Sequence, residues 1–106
     1  MPDTRVLVVD DERSMRELLV IMLKQTGHEV TVAEGGEQAI EAIKNDPFDL
    51  VITDLRMRKV DGIAVLRAAK EHSPSTVVLV VTAFASTETA VEAMKLGAYD
   101  LSLIHI

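Results

Sequence analysis

The sequence predicts an α/β fold, a doubly wound parallel sheet, because short apolar segments alternate with segments of helical periodicity. The apolar segments are rich in β-branched residues and cover Arg5–Val9, Glu29–Ala33, Asp49–Thr53 and Val77–Thr82. The first and last contain unbroken apolar runs, which are typical of strands covered on both faces of a parallel sheet. Strict alternation of strands and helices implies parallel neighbours joined by right-handed crossovers.

Four helices are predicted between and after these strands. The first is marked by apolar residues on one helical face, namely Met15, Leu18, Leu19, Met22 and Leu23. Shorter periodic segments predict three more helices, marked by Ala39–Ile43, Ile63–Leu66 and Ala90–Met94. Ser86 or Thr87 is expected to cap the fourth helix at its N-terminus. Glycine follows the first and fourth helices, at Gly27 and Gly97, and predicts their ends.

The last residues, Tyr99–Ile106, predict a fifth strand because most of them are apolar. No helical pattern follows this segment, so a doubly wound domain would leave apolar surface uncovered on one side of the sheet. We therefore expect one domain over residues 1–106, which lacks the usual last helix. Its uncovered surface predicts a homodimer or a swapped assembly.

Composition excludes several classes of function. The chain has a formal net charge of -6, 3% aromatic residues, and neither tryptophan nor cysteine. Direct binding of nucleic acid is not expected, because there is no basic stripe and no stacking platform for bases. The longest apolar runs have about five residues, far short of the roughly 20 that span a bilayer. The N-terminus lacks the pattern of a signal peptide, so a cytoplasmic location is expected.

Residues able to carry chemistry follow three of the predicted strands. Asp10 and Asp11 follow the first strand, Asp54 follows the third, and Thr82 ends the fourth. In open parallel sheets, ligands bind beyond the carboxyl ends of the strands, where the strand order reverses. For a flavodoxin-like order of 2-1-3-4-5, that point lies between the first and third strands. The four side chains are therefore expected to converge there.

Three carboxylates in one pocket need a counter-charge to stay ionised, and a hard cation such as Mg²⁺ supplies it. An aspartate can also act as the nucleophile toward a phosphoryl group, and Thr82 could hydrogen-bond that group. Each residue alone has a structural interpretation, as a turn residue, a helix cap or a favourable charge at a helix N-terminus. Their common position at one edge of the sheet favours a site.

Three segments resemble the receiver domain of bacterial response regulators: Val6–Glu12, Asp49–Leu55 and Val80–Ala83. The segment Ala90–Asp100 is most similar to the NtrC-type subgroup, whose receivers precede an AAA+ ATPase domain and a DNA-binding domain that activate σ54-dependent transcription. The resemblance covers residues 5–100. It implies a histidine kinase as the phosphodonor and output domains that lie outside this chain.

The resemblance also implies a role for each candidate residue. Asp54 would be the phosphoacceptor, and Asp11 and Asp54 would ligate Mg²⁺ directly. Asp10 would act through water, and the backbone carbonyl of Arg56 would complete the protein ligands. Thr82 would be the switch hydroxyl that moves toward the phosphoryl group.

The sequence departs from the family near both the acceptor and the C-terminal end. Leu101 stands where an aromatic switch residue is usual, and Ile104 stands where a lysine would pair with Asp54. With the last helix also missing, we expect a truncated or altered end and impaired signal transmission. Arg58 replaces the usual proline in the loop after Asp54, and Asp61-Gly62 predicts a turn with positive φ in the same loop.

Three functions are compatible with these residues. The first is a phosphorylation-dependent signalling switch that catalyses at most its own phosphorylation and dephosphorylation, which we favour. The second is a phosphatase or phosphotransferase with an aspartyl nucleophile. Such enzymes usually carry a second carboxylate two residues later, where this chain has Arg56, and the chain also lacks a cap domain. The third is a switching-defective fragment that acts only as an assembly or interaction module.

Overall fold

The computed structural model describes residues 4–57, 59–82 and 86–103, and for residue 87 and residues 100–103 it describes the backbone alone. Five strands alternate with four helices along the chain. The elements are β1 Arg5–Val9, α1 Arg13–Gln25, β2 Glu29–Ala33, α2 Gly36–Asn45, β3 Leu50–Thr53, α3 Gly62–His72, β4 Val77–Thr82, α4 Thr87–Lys95 and β5 Asp100–Leu103. The strands form one parallel sheet of order β2-β1-β3-β4-β5, as the sequence predicts.

The central strand β1 is buried on both faces, which explains its unbroken apolar run. Leu7 and Val9 face the larger core beneath α2, α3 and α4, where Val51, Val65 and Leu66 are also buried. Val6 and Val8 point to the opposite face, because side chains alternate along a strand, and pack there with the residues of a smaller cluster. The sheet therefore separates two apolar layers, and its polar chemistry is confined to the strand ends.

Helix boundaries agree with local sequence signals. Ser86 caps α4: its side chain accepts a hydrogen bond from the Thr89 N–H, and the Thr89 hydroxyl accepts one from the Ser86 N–H. Gly27 and Gly97 follow α1 and α4 with φ of 87° and 104°, where glycine is favoured. Asp49, predicted as the first residue of the third strand, instead precedes β3 and accepts a hydrogen bond at Oδ2 from the Arg5 N–H at 2.8 Å.

The outer surface of α1 is unusually apolar. Within α1, all of which the structure describes, no side chain is fully buried. Leu18, Ile21 and Met22 are each more than half exposed. The apolar stripe that predicted α1 therefore packs against the sheet only in part.

Among the described helices, none is long and apolar enough to cross a membrane.

Candidate functional site

Asp10 and Asp54 lie side by side because of the register of their strands. Val9 of β1 pairs with Thr53 of β3, so the next residue of each strand reaches the same level at the sheet edge. The Asp54 N–H donates to the Val9 carbonyl at 3.2 Å, which extends the ladder by one residue. Neighbouring strands are about 4.8 Å apart, so the two aspartates flank the predicted crevice.

Asp10 is a buried carboxylate in a cluster of negative charge. It is 4% exposed, and its Oδ1 accepts a hydrogen bond from the Glu12 N–H at 2.9 Å. The pKa of Asp10 is raised to about 6, mainly by burial and also by the nearby charges of Asp54 and Asp11, against the lowering effect of the Glu12 N–H. The three predicted carboxylates therefore interact electrostatically.

Asp54 is more exposed than Asp10. It is partly exposed, and its Oδ1 accepts a hydrogen bond from the Arg56 N–H at 3.3 Å. The Thr53 hydroxyl donates to the Asp54 carbonyl at 3.0 Å. Backbone and side chain of Asp54 are thus both held by hydrogen bonds while its carboxylate stays within reach of a ligand.

Thr82 ends β4 on the other side of β3, at the same edge of the sheet. Thr53 pairs with Val80, so Asp54 stands level with Val81 and Thr82 lies one residue further along. The Thr82 side chain is fully buried. The topology therefore brings the predicted hydroxyl to the edge where the acidic residues meet.

Gly62 has a different role from the predicted one. The only glycines with positive φ among the described residues are Gly27 and Gly97, so the prediction of a positive φ at Gly62 was wrong. Gly62 is the first residue of α3, and a methyl group built on it would lie 2.8 Å from the Asp54 carbonyl carbon. Glycine is needed here because the helix start approaches the backbone of Asp54 too closely for any side chain.

Arg16 contacts the acidic loop, residues 10–12, and the sequence analysis missed this contact. Its Nη1 donates to the Asp10 carbonyl at 2.9 Å, and its Nη2 lies 3.5 Å from Glu34 Oε1. A cation in the first turn of a helix opposes the helix dipole. Both arginines of this turn, Arg13 and Arg16, are visible in the sequence, and this unfavourable placement was the available signal for a specific partner.

The donor set fits a hard divalent cation. In the part of the chain that the structure describes, no three histidine or acidic side chains come close enough to enclose a metal ion by themselves. Mg²⁺ needs no such cage, because one or two carboxylates, waters and substrate oxygens usually hold it. Asp11 and Asp54 are both partly exposed, and their negative charges contribute to the raised pKa of Asp10, after burial as the main cause.

Two of the residues that differ from the usual family pattern, Arg58 and Ile104, lie outside the described residues. Leu101 belongs to β5 by its backbone, where it pairs with Val80. The predicted effects of these substitutions therefore stay predictions.

Residues 6–102 match the model of the response regulator receiver domain. The chain belongs to this family. It is a signalling receiver of two-component systems, and the sheet order agrees with the one that the resemblance implied.

Curated relatives of this receiver are transcriptional regulators of the NtrC type. It is 46% identical over 95 residues to the transcriptional regulatory protein ZraR of Escherichia coli, covering 90% of this chain and 22% of ZraR. It is 38% identical over 96 residues to the regulatory protein AtoC of Escherichia coli, covering 91% of this chain and 21% of AtoC. The receiver thus spans about a fifth of the length of the curated relatives that it matches.

Solved structures confirm the fold. A CheY-like receiver from Methanospirillum hungatei superposes with a TM-score of 0.94 at 26% identity, over 98% of this chain and 83% of that one. TrrA from Thermotoga maritima, in complex with Mg²⁺ and BeF, gives 0.86 at 29% identity, over 97% and 88%. A Burkholderia pseudomallei response regulator with a phosphorylated aspartic acid and a calcium ion gives 0.89 at 28% identity, over 95% and 59%.

Proposed function

We propose that this receiver accepts a phosphoryl group on Asp54 from a histidine kinase in a Mg²⁺-dependent reaction. The observation that carries the proposal is the pairing of Asp10 and Asp54 at the switch point of the sheet, with one carboxylate buried and the other accessible. Ligands of open parallel sheets bind at this point. The aspartyl phosphate and divalent ions of similar receivers support the assignment.

The proposed metal ligands are those that the resemblance to response regulators implies. Asp11 and Asp54 would bind Mg²⁺ directly, with the Arg56 carbonyl as the third protein ligand and Asp10 acting through water. A bound divalent ion would offset the charge on the transferring phosphoryl group. It would also stabilise the ionised form of Asp10, whose pKa is raised to about 6 by burial and then by Asp54 and Asp11.

Phosphoryl transfer requires one displacement at phosphorus. A carboxylate oxygen of Asp54 forms the new P–O bond while the P–N bond of the phosphohistidine breaks. The imidazole leaves with the electron pair of that bond and takes up a proton from solvent. The Arg56 N–H holds Asp54 Oδ1, which favours Oδ2 as the attacking atom.

Thr82 would respond to the product. Its hydroxyl lies at the same sheet edge, one residue beyond the level of Asp54. A hydrogen bond from this hydroxyl to a phosphoryl oxygen would move the end of β4. Phosphorylation would thereby become a structural change, which is the usual way in which a local charge controls a distant surface.

The output of the switch would belong to a longer protein. The NtrC-type resemblance implies a parent chain with an AAA+ ATPase domain and a DNA-binding domain, and the similarity to the regulatory proteins ZraR and AtoC supports such a parent. This receiver would then control transcription without touching DNA itself. Its net charge of -6 disfavours direct contact with the negatively charged backbone of DNA.

The receiver is also proposed to self-associate. Exposed apolar side chains occur on α1, at Leu18, Ile21 and Met22, and on α4, at Val91 and Met94. Exposed apolar side chains of this kind favour contact with a protein partner over contact with water. The simplest partner for these exposed side chains is a second copy of this 106-residue chain, in a homodimer or a swapped assembly.

Intact mass after incubation with acetyl phosphate and Mg²⁺ tests the chemistry. The wild-type chain should gain one phosphoryl group, and this gain should disappear without Mg²⁺ and in Asp54→Asn. Asp46→Asn is the matched control, because Asp46 is an exposed aspartate at the end of α2. A phosphoryl group that still forms in Asp54→Asn would overturn the assignment.

A further inference from the structure

Arg16 connects three pieces of the chain around the acidic loop. Its side chain is largely buried, with 13% exposed. It donates to the Asp10 carbonyl at 2.9 Å and lies 3.5 Å from Glu34, which follows β2. The Asp10 N–H in turn donates to the Ala33 carbonyl at 3.3 Å. The end of β1, the start of α1 and the end of β2 are therefore tied together at one point.

The hydrogen bond from Arg16 to the Asp10 carbonyl also restrains the next residue, Asp11. This carbonyl belongs to the same planar peptide unit as the N–H of Asp11, so fixing one end of the unit fixes the other. The Asp10 side chain is held separately, by the Glu12 N–H at 2.9 Å. Arg16 therefore restrains the backbone direction from which the Asp11 carboxylate leaves the chain.

We propose that Arg16 is a positioning residue for the Mg²⁺ site, acting through the Asp10–Asp11 peptide. This inference rests on the proposed function, in which Asp11 is a direct metal ligand. Groups that orient metal ligands typically change metal affinity by about 10- to 100-fold when they are removed. The loss of Arg16 thus weakens the capture of Mg²⁺ more than it weakens the fold.

Arg13 provides an internal comparison. It lies in the same first turn of α1, but its side chain is 82% exposed and its Nε donates to Glu17 at 2.9 Å. Removing Arg13 deletes the same charge from the same helix end without touching the acidic loop. Any difference between the two arginines therefore reports on the contact with Asp10 and not on net charge or the helix dipole.

Mg²⁺ titration of the 106-residue chain by isothermal titration calorimetry tests the proposal. Arg16→Met keeps the apolar stem and removes the donors, and it should raise the Kd for Mg²⁺ at least about tenfold. Arg13→Met should stay within about twofold of wild type. Arg16→Lys, which restores one donor, should lie between Arg16→Met and wild type. At saturating Mg²⁺, phosphorylation by acetyl phosphate should recover in Arg16→Met.

Urea unfolding without Mg²⁺ separates positioning from a purely structural role. If Arg16→Met lowers stability but binds Mg²⁺ with the affinity of Arg13→Met, Arg16 does not position the site. If Arg16→Met fails to fold, Arg16→Lys decides the matter, because a wild-type Kd in that variant overturns the proposal. A wild-type chain that binds no Mg²⁺ would instead refute the proposed function itself.

Discussion

The first residue of α3, Gly62, lies against the backbone of Asp54, because a methyl group built on Gly62 would lie 2.8 Å from the carbonyl carbon of Asp54. The Gly62 N–H also donates to the Leu55 carbonyl at 2.9 Å, which closes the loop between them. Asp61 caps the same helix by accepting from the Ala64 N–H at 3.0 Å. The position of Asp54 is thus fixed by close packing of backbone against backbone.

Gly62→Ala should therefore damage both stability and chemistry. The new methyl group must displace the Asp54 backbone, and overpacking of this kind destabilises a protein by about 1–3 kcal/mol. We expect urea unfolding to show such a loss and phosphorylation by acetyl phosphate to slow about tenfold. Gly35→Ala is the control, since no described atom lies within 4 Å of a Cβ built there. Equal effects of the two substitutions would contradict this explanation.

Asp10 should make the stability of the metal-free protein depend on pH. Its pKa is about 6 in the folded state against an ordinary 3.8, so the folded state holds the proton more tightly than the unfolded chain. This contribution is fully present below about pH 4 and is lost as the pH rises through 6, by up to about 3 kcal/mol. Asp10→Asn removes this titration and keeps an acceptor for the Glu12 N–H.

Urea unfolding of wild type and Asp10→Asn from pH 4 to pH 7, without divalent ions, measures this contribution. Asp10→Asn should be the more stable protein at pH 7, and the difference should shrink toward pH 4. Saturating Mg²⁺ should narrow the gap at pH 7 by stabilising wild type. A difference that is independent of pH would show that burial does not raise the pKa of Asp10.

The two glycines with positive φ should differ in their tolerance of alanine. Gly27 has φ of 87° in open space, whereas a Cβ at Gly97 would lie 3.3 Å from Lys70 Cε. Gly27→Ala should reduce the free energy of unfolding by about 1 kcal/mol, the usual penalty of a left-handed conformation. Gly97→Ala adds crowding and should lose more. Neither should change Mg²⁺ affinity, and a reversed order of stability would refute the role of Lys70.

Self-association should depend on the apolar surface of α1. Light scattering at increasing protein concentration should show a mass above that of the monomer. Ile21→Glu should lower this mass, because Ile21 is 57% exposed at the centre of the surface. Lys24→Glu, which introduces the same acidic side chain at another exposed position of the same helix, is the control. A monomer at every concentration would contradict the proposed homodimer.

The sheet and its helices could be predicted because their signals are local. Runs of β-branched residues located β1, β2 and β4 to the residue, and glycines located the ends of α1 and α4. Placing Asp10 beside Asp54 needed the flavodoxin-like strand order and the rule that ligands bind beyond the carboxyl ends of parallel strands. The third strand begins at Leu50, one residue later than predicted, although the Asp49 N–H still donates to the Arg5 carbonyl.

The contacts that support the site could not be predicted in the same way. The role of Gly62 depends on the distance between two backbones, and the role of Arg16 depends on where a flexible side chain ends. Neither quantity is encoded in periodicity or in residue type. The Asp61-Gly62 pair even favoured the wrong cause, a positive φ, because that is the commoner reason for glycine in a turn.

Locating the phosphoryl group is the most direct test of phosphorylation on Asp54. Borohydride converts an aspartyl phosphate to homoserine, so the receiver would be treated with acetyl phosphate and Mg²⁺, reduced, digested and sequenced by mass spectrometry. Homoserine is expected at position 54, and only when Mg²⁺ was present. Homoserine at another aspartate, or a phosphoryl group that resists borohydride, would contradict it.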